Sequence, residues 1–238
     1  MSSASAKNLQ NSANETIVAQ TLHAVEVAKL AAASCAEGLA SGSTEAYDRL
    51  RGYEEELDNL DHDMNEAVTT AITQVNAQDA RELLACLKFI LELERIGDLL
   101  LNVMNRSSII NSRLDQQDAK DLIMMASILE KMLGDVYEAF SNRNLEKTVL
   151  VLRADAELDR IRNLIFLRHV ENRENQPRQE SFHVVFMTQT IERAGDHVKN
   201  LAEEVCHMVT GQSVRHLLRS KDKSYELLFV DWMRKQKK

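Results

Sequence analysis

Residues 91–103 read LELERIGDLLLNV, and residues 189–201 read QTIERAGDHVKNL. Glu94, Asp98 and Asn102 thus recur as Glu192, Asp196 and Asn200, 98 positions on, with Gly97 and Gly195 inside the two copies. The likeness is wider than the motif. EGLASGSTEAYDRLRGYEEELD (37–58) lies over EAFSNRNLEKTVLVLRADAELD (138–159) without a gap at an offset of 101, so Glu54 meets Asp155 and Asp58 meets Asp159. The small change of offset falls in a loop before the last segment. Self-similarity of this length means that one supersecondary unit has been duplicated. Whatever the chain folds into must be built from two equivalent halves.

The unit is helical. Seven glycines and one proline in 238 residues are far below average usage, and aromatics are 5%; Ala, Leu, Glu, Arg and Lys fill the rest, as in helices. Polar breaks at GLASGST (38–44), NAQD (76–79), RLDQQD (113–118), SNRN (141–144), ENRENQPRQ (171–179) and TGQS (210–213) divide the chain. They leave six periodic segments: about 15–38, 44–75, 79–112, 118–140, 144–171 and 178–210. Pro177 suits a first helical turn and Gly211 a left-handed cap. The expected fold is all-α: two tandem three-helix bundles of six long helices, spanning 15–112 and 116–212. A Ser-, Ala- and Asn-rich arm at 1–14 is expected to be disordered, and 217–238 forms a basic tail with the one tryptophan, Trp232.

Several function classes are excluded early. A net charge of −8 argues against nucleic acid as partner. Cys35, Cys86 and Cys206 are too far apart for a thiolate metal site or a disulfide framework. No run of apolar residues is long enough to span a bilayer, and no signal peptide is legible. The expected setting is cytoplasmic. Gly-rich phosphate loops, nucleophile elbows and kinase motifs are absent.

Residues at i, i+4 and i+8 share a helix face. Glu94, Asp98 and Asn102 make one oxygen-bearing stripe, and Glu192, Asp196 and Asn200 another. The second helices add Glu54 with Asp58, continued by Asp61, and Asp155 with Asp159. Three readings fit. Converging carboxylates bind hard cations such as Mg²⁺, Ca²⁺, Mn²⁺ or iron. An anionic patch recruits a basic partner. A solvated face carries only Glu–Arg pairs. Gly97 and Gly195 each cost about 0.8–1 kcal/mol against alanine in a helix, and serve either a close helix neighbour or a bulky cluster. Arg95 and Arg193 lie off the stripe and read as surface residues. The Glu-x-x-His spacings, Glu180/His183 and Glu204/His207, are not at equivalent positions of the repeats, unlike those of di-iron bundles. His207 is a marginal ligand at the stripe's end, and His62 and His197 read as solvent-facing.

ELERIGD…N and TIERAGDHVKNLAEEV, each ending a duplicated three-helix unit, together with VTGQSVRH (209–216), resemble the PhoU family of phosphate-transport regulators. The resemblance spans roughly 15–216. It implies a metal-binding cytoplasmic regulatory adaptor, not an enzyme. Such a protein restrains the phosphate-starvation response and phosphate uptake by contacting a sensor histidine kinase and the ATPase of a phosphate ABC transporter; a homodimer is compatible with it. The implied cofactor is a divalent or trivalent metal cluster of iron or zinc, with magnesium or manganese as further choices. The implied ligands are Glu54, Asp58, Glu94, Asp98 and Asn102 in the first repeat, and Asp155, Asp159, Glu192, Asp196 and Asn200 in the second. Rival readings are a carboxylate-bridged, ferritin-like di-metal oxidase and a metal-free helical scaffold. One departure stands out: Asn105 occupies the place that Glu203 holds in the second repeat. By charge count alone, that makes the first site the weaker one.

Overall fold

The computed structural model describes residues 3–110, 114–171 and 179–211. Among these residues six α-helices follow in order: α1 (Ser3–Ser41), α2 (Thr44–Ala71), α3 (Ala77–Ile110), α4 (Gln116–Asn142), α5 (Leu145–Phe166) and α6 (Gln179–Thr210). A 3₁₀ turn, Ile72–Gln74, extends α2, and a π-helical turn, Leu167–Glu171, extends α5. All of this matches the all-α expectation of six long helices. The basic tail and Pro177 lie outside the described residues.

Two sequence-based boundaries need correction. Residues 3–14 were expected to form a disordered arm, yet α1 begins at Ser3. Elongating an existing helix adds a hydrogen bond per residue without a new nucleation cost, and no Gly or Pro interrupts 3–14. The first helix was also expected to end near Gly38. It continues one turn further, to Ser41, and Gly42 with φ 66° ends it. Gly38 lies inside the helix against Met104. Gly211, with φ 73°, caps α6 as expected, its N–H bonding to His207 O at 2.8 Å.

The duplication is legible in the caps. Ser43 Oγ accepts from the Ala46 N–H at the start of α2, and Asn144 Oδ1 accepts from the Glu146 N–H at the start of α5. These two residues sit at equivalent places of the repeat. Asp115 caps α4 in the same way through the Gln117 N–H, 2.8 Å. Each cap satisfies one of the donors that a helix start leaves unpaired.

Helices α1, α2 and α3 pack on one another, as do α4, α5 and α6, and the halves join where α1 meets α4 and α3 meets α6. Each helix at the junction therefore meets its own equivalent. α3 and α6 run antiparallel: Lys88 Nζ bonds Glu204 at 2.9 Å near one end, and the Arg106 guanidinium lies 3.9 Å over the Phe186 ring near the other. One continuous apolar core crosses the junction, from Ala24, Ala28 and Ala31 of α1 to Leu129, Met132 and Val136 of α4. Alanines on α1 let that pair approach closely, and Phe89 and Phe140 meet across the core with ring centroids 4.7 Å apart. Cys35, Cys86 and Cys206 are buried free thiols. Burial pushes Cys35 and Cys206 up to about 12 and Cys86 to about 11, which leaves them inert.

Candidate functional site: two unequal acid rows

The glycines of the repeated motif are packing glycines. A Cβ built on Gly97 would stand 2.9 Å from Leu57 Cδ1 and 3.7 Å from the Cα of Glu54. On Gly195 it would stand 2.5 Å from Leu158 Cδ1. Leu57 and Leu158, both fully buried, fill the groove that each glycine leaves. Each leucine immediately precedes an acid, Asp58 or Asp159. Its docking therefore sets the acids of α2 beside those of α3, and the acids of α5 beside those of α6.

In the first half, Glu54, Asp58, Asp61, Glu94 and Asp98 share one electrostatic neighbourhood. Partial burial, then repulsion from Asp58 and Asp98 and a hydrogen bond with Asp98, raises the Glu54 carboxyl. Burial, then Asp98, Asp58 and Asp61, raises Glu94, with Arg95 pulling weakly the other way. Asp58 and Asp98 are exposed, and Asn102 is exposed one turn beyond Asp98. Asp61, which continues the row in sequence, adds its charge to the field at Glu94 and accepts the Asn65 amide at 3.1 Å. Asn105 accepts the Tyr47 hydroxyl at 2.7 Å.

In the second half, Asp155, Asp159, Glu192 and Asp196 converge likewise, but two cations join them. Lys199 Nζ stands 2.7 Å from Asp155 Oδ2 and 3.6 Å from Asp196 Oδ1. The Arg162 guanidinium stands 3.2 Å from Asp159 Oδ1 and 3.4 Å from Glu192 Oε1. Burial raises Asp155 against the pull of Lys199, and raises Glu192 against that of Arg162. The sequence signal for both cations was present, since each lies three residues after the aspartate it pairs with.

Asn200 does not join its row. Its amide donates to Glu92 Oε2 at 3.2 Å, across the α3–α6 junction. His197, expected to face solvent, is mostly buried there and shares a hydrogen bond with the same carboxylate. Burial raises Glu92, yet the bonds from His197 and Asn200 outweigh it and hold the carboxyl below its ordinary range. The tertiary junction decided both placements; no local pattern announces them. His207 turns to Glu204 at 3.3 Å, and Glu204 is also held by Lys88, so the Glu204/His207 spacing is a local side-chain contact beside an ion pair.

The two rows differ as cation sites. The first offers clustered carboxylate oxygens, the donor chemistry of a hard cation. Among the described residues no three His, Cys, Asp or Glu groups stand close enough, as placed, to hold an ion. A cation at the first row therefore needs the row's carboxylates to change rotamer toward it. The second row does not fit: its oxygens already face two cationic side chains. Elsewhere, clefts of about 210 Å³ beside Phe166 and Gln189, and about 270 Å³ beside Tyr47 and Ser107, are smaller than typical ligand chambers. Among the described residues no helix is long and apolar enough to cross a membrane.

The PhoU domain model matches residues 21–107 and again 122–205, one match in each half. The phosphate-specific transport system accessory protein PhoU homolog of Rhizobium meliloti is 31% identical over 160 residues, covering 65% of this chain and 68% of that protein. The protein of the same name from Caulobacter vibrioides is 29% identical over 167 residues, 68% of this chain and 72% of that protein. The crystal structure of PhoU from Pseudomonas aeruginosa superposes with a TM-score of 0.76 at 19% identity, over 85% of this chain and 99% of that one. The phosphate transport system regulatory protein PhoU from Streptococcus pneumoniae gives 0.78 at 16%, over 86% and 99%. These names describe accessory and regulatory proteins rather than enzymes. With the domain model matched in both halves, the chain belongs to the PhoU family.

Proposed function

We propose that this chain is a regulatory adaptor of phosphate-specific transport. In this reading it restrains the phosphate-starvation response and phosphate uptake by contacting a sensor histidine kinase and the transporter's ATPase. The observation that carries the reading is the PhoU domain matched in both halves, together with relatives named as accessory proteins of that transport system. The test is genetic and biochemical together. A strain lacking the chain should express a phosphate-starvation reporter in phosphate-rich medium, and restoring the chain should silence it. A pull-down with the cognate kinase and ATPase identifies the contact. An unchanged reporter and no binding to either partner would reject the reading.

The first acid row gives this adaptor its cation site. Its carboxylates suit magnesium, manganese or iron better than zinc, which favours nitrogen and sulfur donors. A bound cation would supply positive charge to an otherwise repulsive anionic face and so complete a docking surface. The exposure of Asp58 and Asp98 also suits a second reading, direct attraction of a basic partner. Chelator separates them. It weakens partner binding when the cation completes the surface, and strengthens or spares it when bare carboxylates attract a basic partner.

A further inference from the structure

The halves agree at the four acids and disagree at the positions beside them. Arg162 of α5 is the repeat equivalent of Asp61 in α2, and Lys199 of α6 is the equivalent of Leu101 in α3. We propose that Arg162 and Lys199 occupy the cation place of the second acid row permanently, so that the first row alone is open to a metal ion. The proposal rests on reading the acid rows as cation sites.

The geometry is that of direct ion pairs from both helices. Lys199 bridges Asp155 of α5 and Asp196 of its own helix at 2.7 and 3.6 Å. Arg162 bridges Asp159 of its own helix and Glu192 of α6 at 3.2 and 3.4 Å. All four row acids are engaged, two by each cation. The side chains of Lys199 and Asp155 are 18% and 12% exposed, so this pair is more shielded than an ordinary surface pair, whereas Asp159 and Asp196 keep open sides to solvent. An incoming metal ion would have to expel both cations and then sit beside them, where like charges repel. In the first row, by contrast, an aspartate replaces the arginine and a leucine replaces the lysine. That row gathers five carboxylates, Glu54, Asp58, Asp61, Glu94 and Asp98, where the second gathers four and two cations. The order of affinity expected from Asn105 alone is thereby reversed.

The experiment exchanges the two differing positions, with Mn²⁺ binding followed by electron paramagnetic resonance and folding by circular dichroism. Asp58→Asn/Asp98→Asn disables the first row. In that background, Mn²⁺ binding should fall to the buffer level, although the second row is intact. Adding Arg162→Asp/Lys199→Leu should restore binding at least about tenfold above that level, because the local charge becomes more negative by three. The reciprocal pair, Asp61→Arg/Leu101→Lys, should close the first row of the otherwise unaltered chain. If Arg162→Asp/Lys199→Leu fails to fold, Arg162→Gln alone should give a smaller gain of the same sign. Retained Mn²⁺ in Asp58→Asn/Asp98→Asn, abolished by adding Asp159→Asn/Asp196→Asn, would overturn the proposal. So would a folded Arg162→Asp/Lys199→Leu chain with no gain. A wild type that binds no Mn²⁺ would instead refute the first row as a cation site, and closure of the second would then stand or fall on the gain alone.

Discussion

Gly97 and Gly195 decide whether the acid rows exist, because each lets a leucine dock where a Cβ would stand. Alanine at these positions gains about 0.8–1 kcal/mol of helix propensity but forces overpacking that costs about 1–3 kcal/mol. Gly195→Ala, with the closer contact of 2.5 Å, should lower stability by about 1 kcal/mol net, and Gly97→Ala by less. Denaturant melts check the order, and Leu158→Ala should be non-additive with Gly195→Ala. Two glutamates should respond to pH with opposite sign. The folded-state value of Glu54 is raised above its ordinary 4.5, so its ionisation carries a cost that is full above the folded value and absent below 4.5. Without divalent cations, Glu54→Gln should raise the melting temperature at pH 7, and the gain should vanish as pH falls to about 4. Glu92 is held below 4.5; its stabilisation is full above 4.5 and lost as pH falls through its folded value. Glu92→Gln should therefore lower the melting temperature at pH 7 and cost progressively less in acid. Equal slopes for the two variants between pH 7 and 4 would reject both assignments. The i, i+4 spacing announced the rows because α-helical geometry fixes it. The same spacing rules could not say that Lys199 would reach Asp155 on another helix, or that His197 would find Glu92.

Element limits were legible wherever they have a local chemical cause. Asn144, Ser43 and Asp115 each cap the helix that follows, and Gly211 accepts the left-handed backbone that ends α6. Limits with a tertiary or propagative cause were misread: α1 runs past Gly38 because that glycine packs against Met104, and it starts at Ser3 because nothing interrupts its elongation. Asn144→Ala should cost about 1 kcal/mol, and Ser43→Ala a similar amount, since both remove the acceptor of a first-turn N–H at equivalent positions. Chemical denaturation of the single and double variants checks this. The sites are on separate helix starts in separate halves, so the losses should add. The turn after α5 has a different anchor. Arg168 binds Asp118 and Asp121 at 2.5 and 2.7 Å, and His169 spans Asp118 of α4 and Ser181 of α6. These contacts tie three helices at one end of the second half. The first half has no counterpart by sequence, since Arg168 and His169 align with Ala67 and Val68.

Across the whole molecule, a duplicated sequence did not produce two independent cores. The apolar faces of α1 and α3 in the first half are covered by α4 and α6, their own equivalents in the second. The halves are thus related to each other as subunits of a two-fold dimer would be, with a covalent link between them. Each half alone would expose an apolar face large enough to demand a partner. Residues 1–112 produced alone should therefore not fold as a stable monomer. A second copy can supply an α3 in place of α6, but that copy brings Leu99 where His197 stands, and Asn102 where Asn200 stands. Glu92, partly buried at the junction, would then keep an asparagine partner but lose its histidine partner in both copies, and a less well compensated buried carboxylate is costly. The half-chain should show helicity that rises with concentration, and a melting temperature well below that of the full chain. Replacing Leu99 by histidine in the half-chain should raise both, by restoring a partner for Glu92. Sedimentation and circular dichroism over a concentration series check this. A monomeric half-chain that melts like the full protein would show that the continuous core is dispensable, and that each repeat is sufficient in itself.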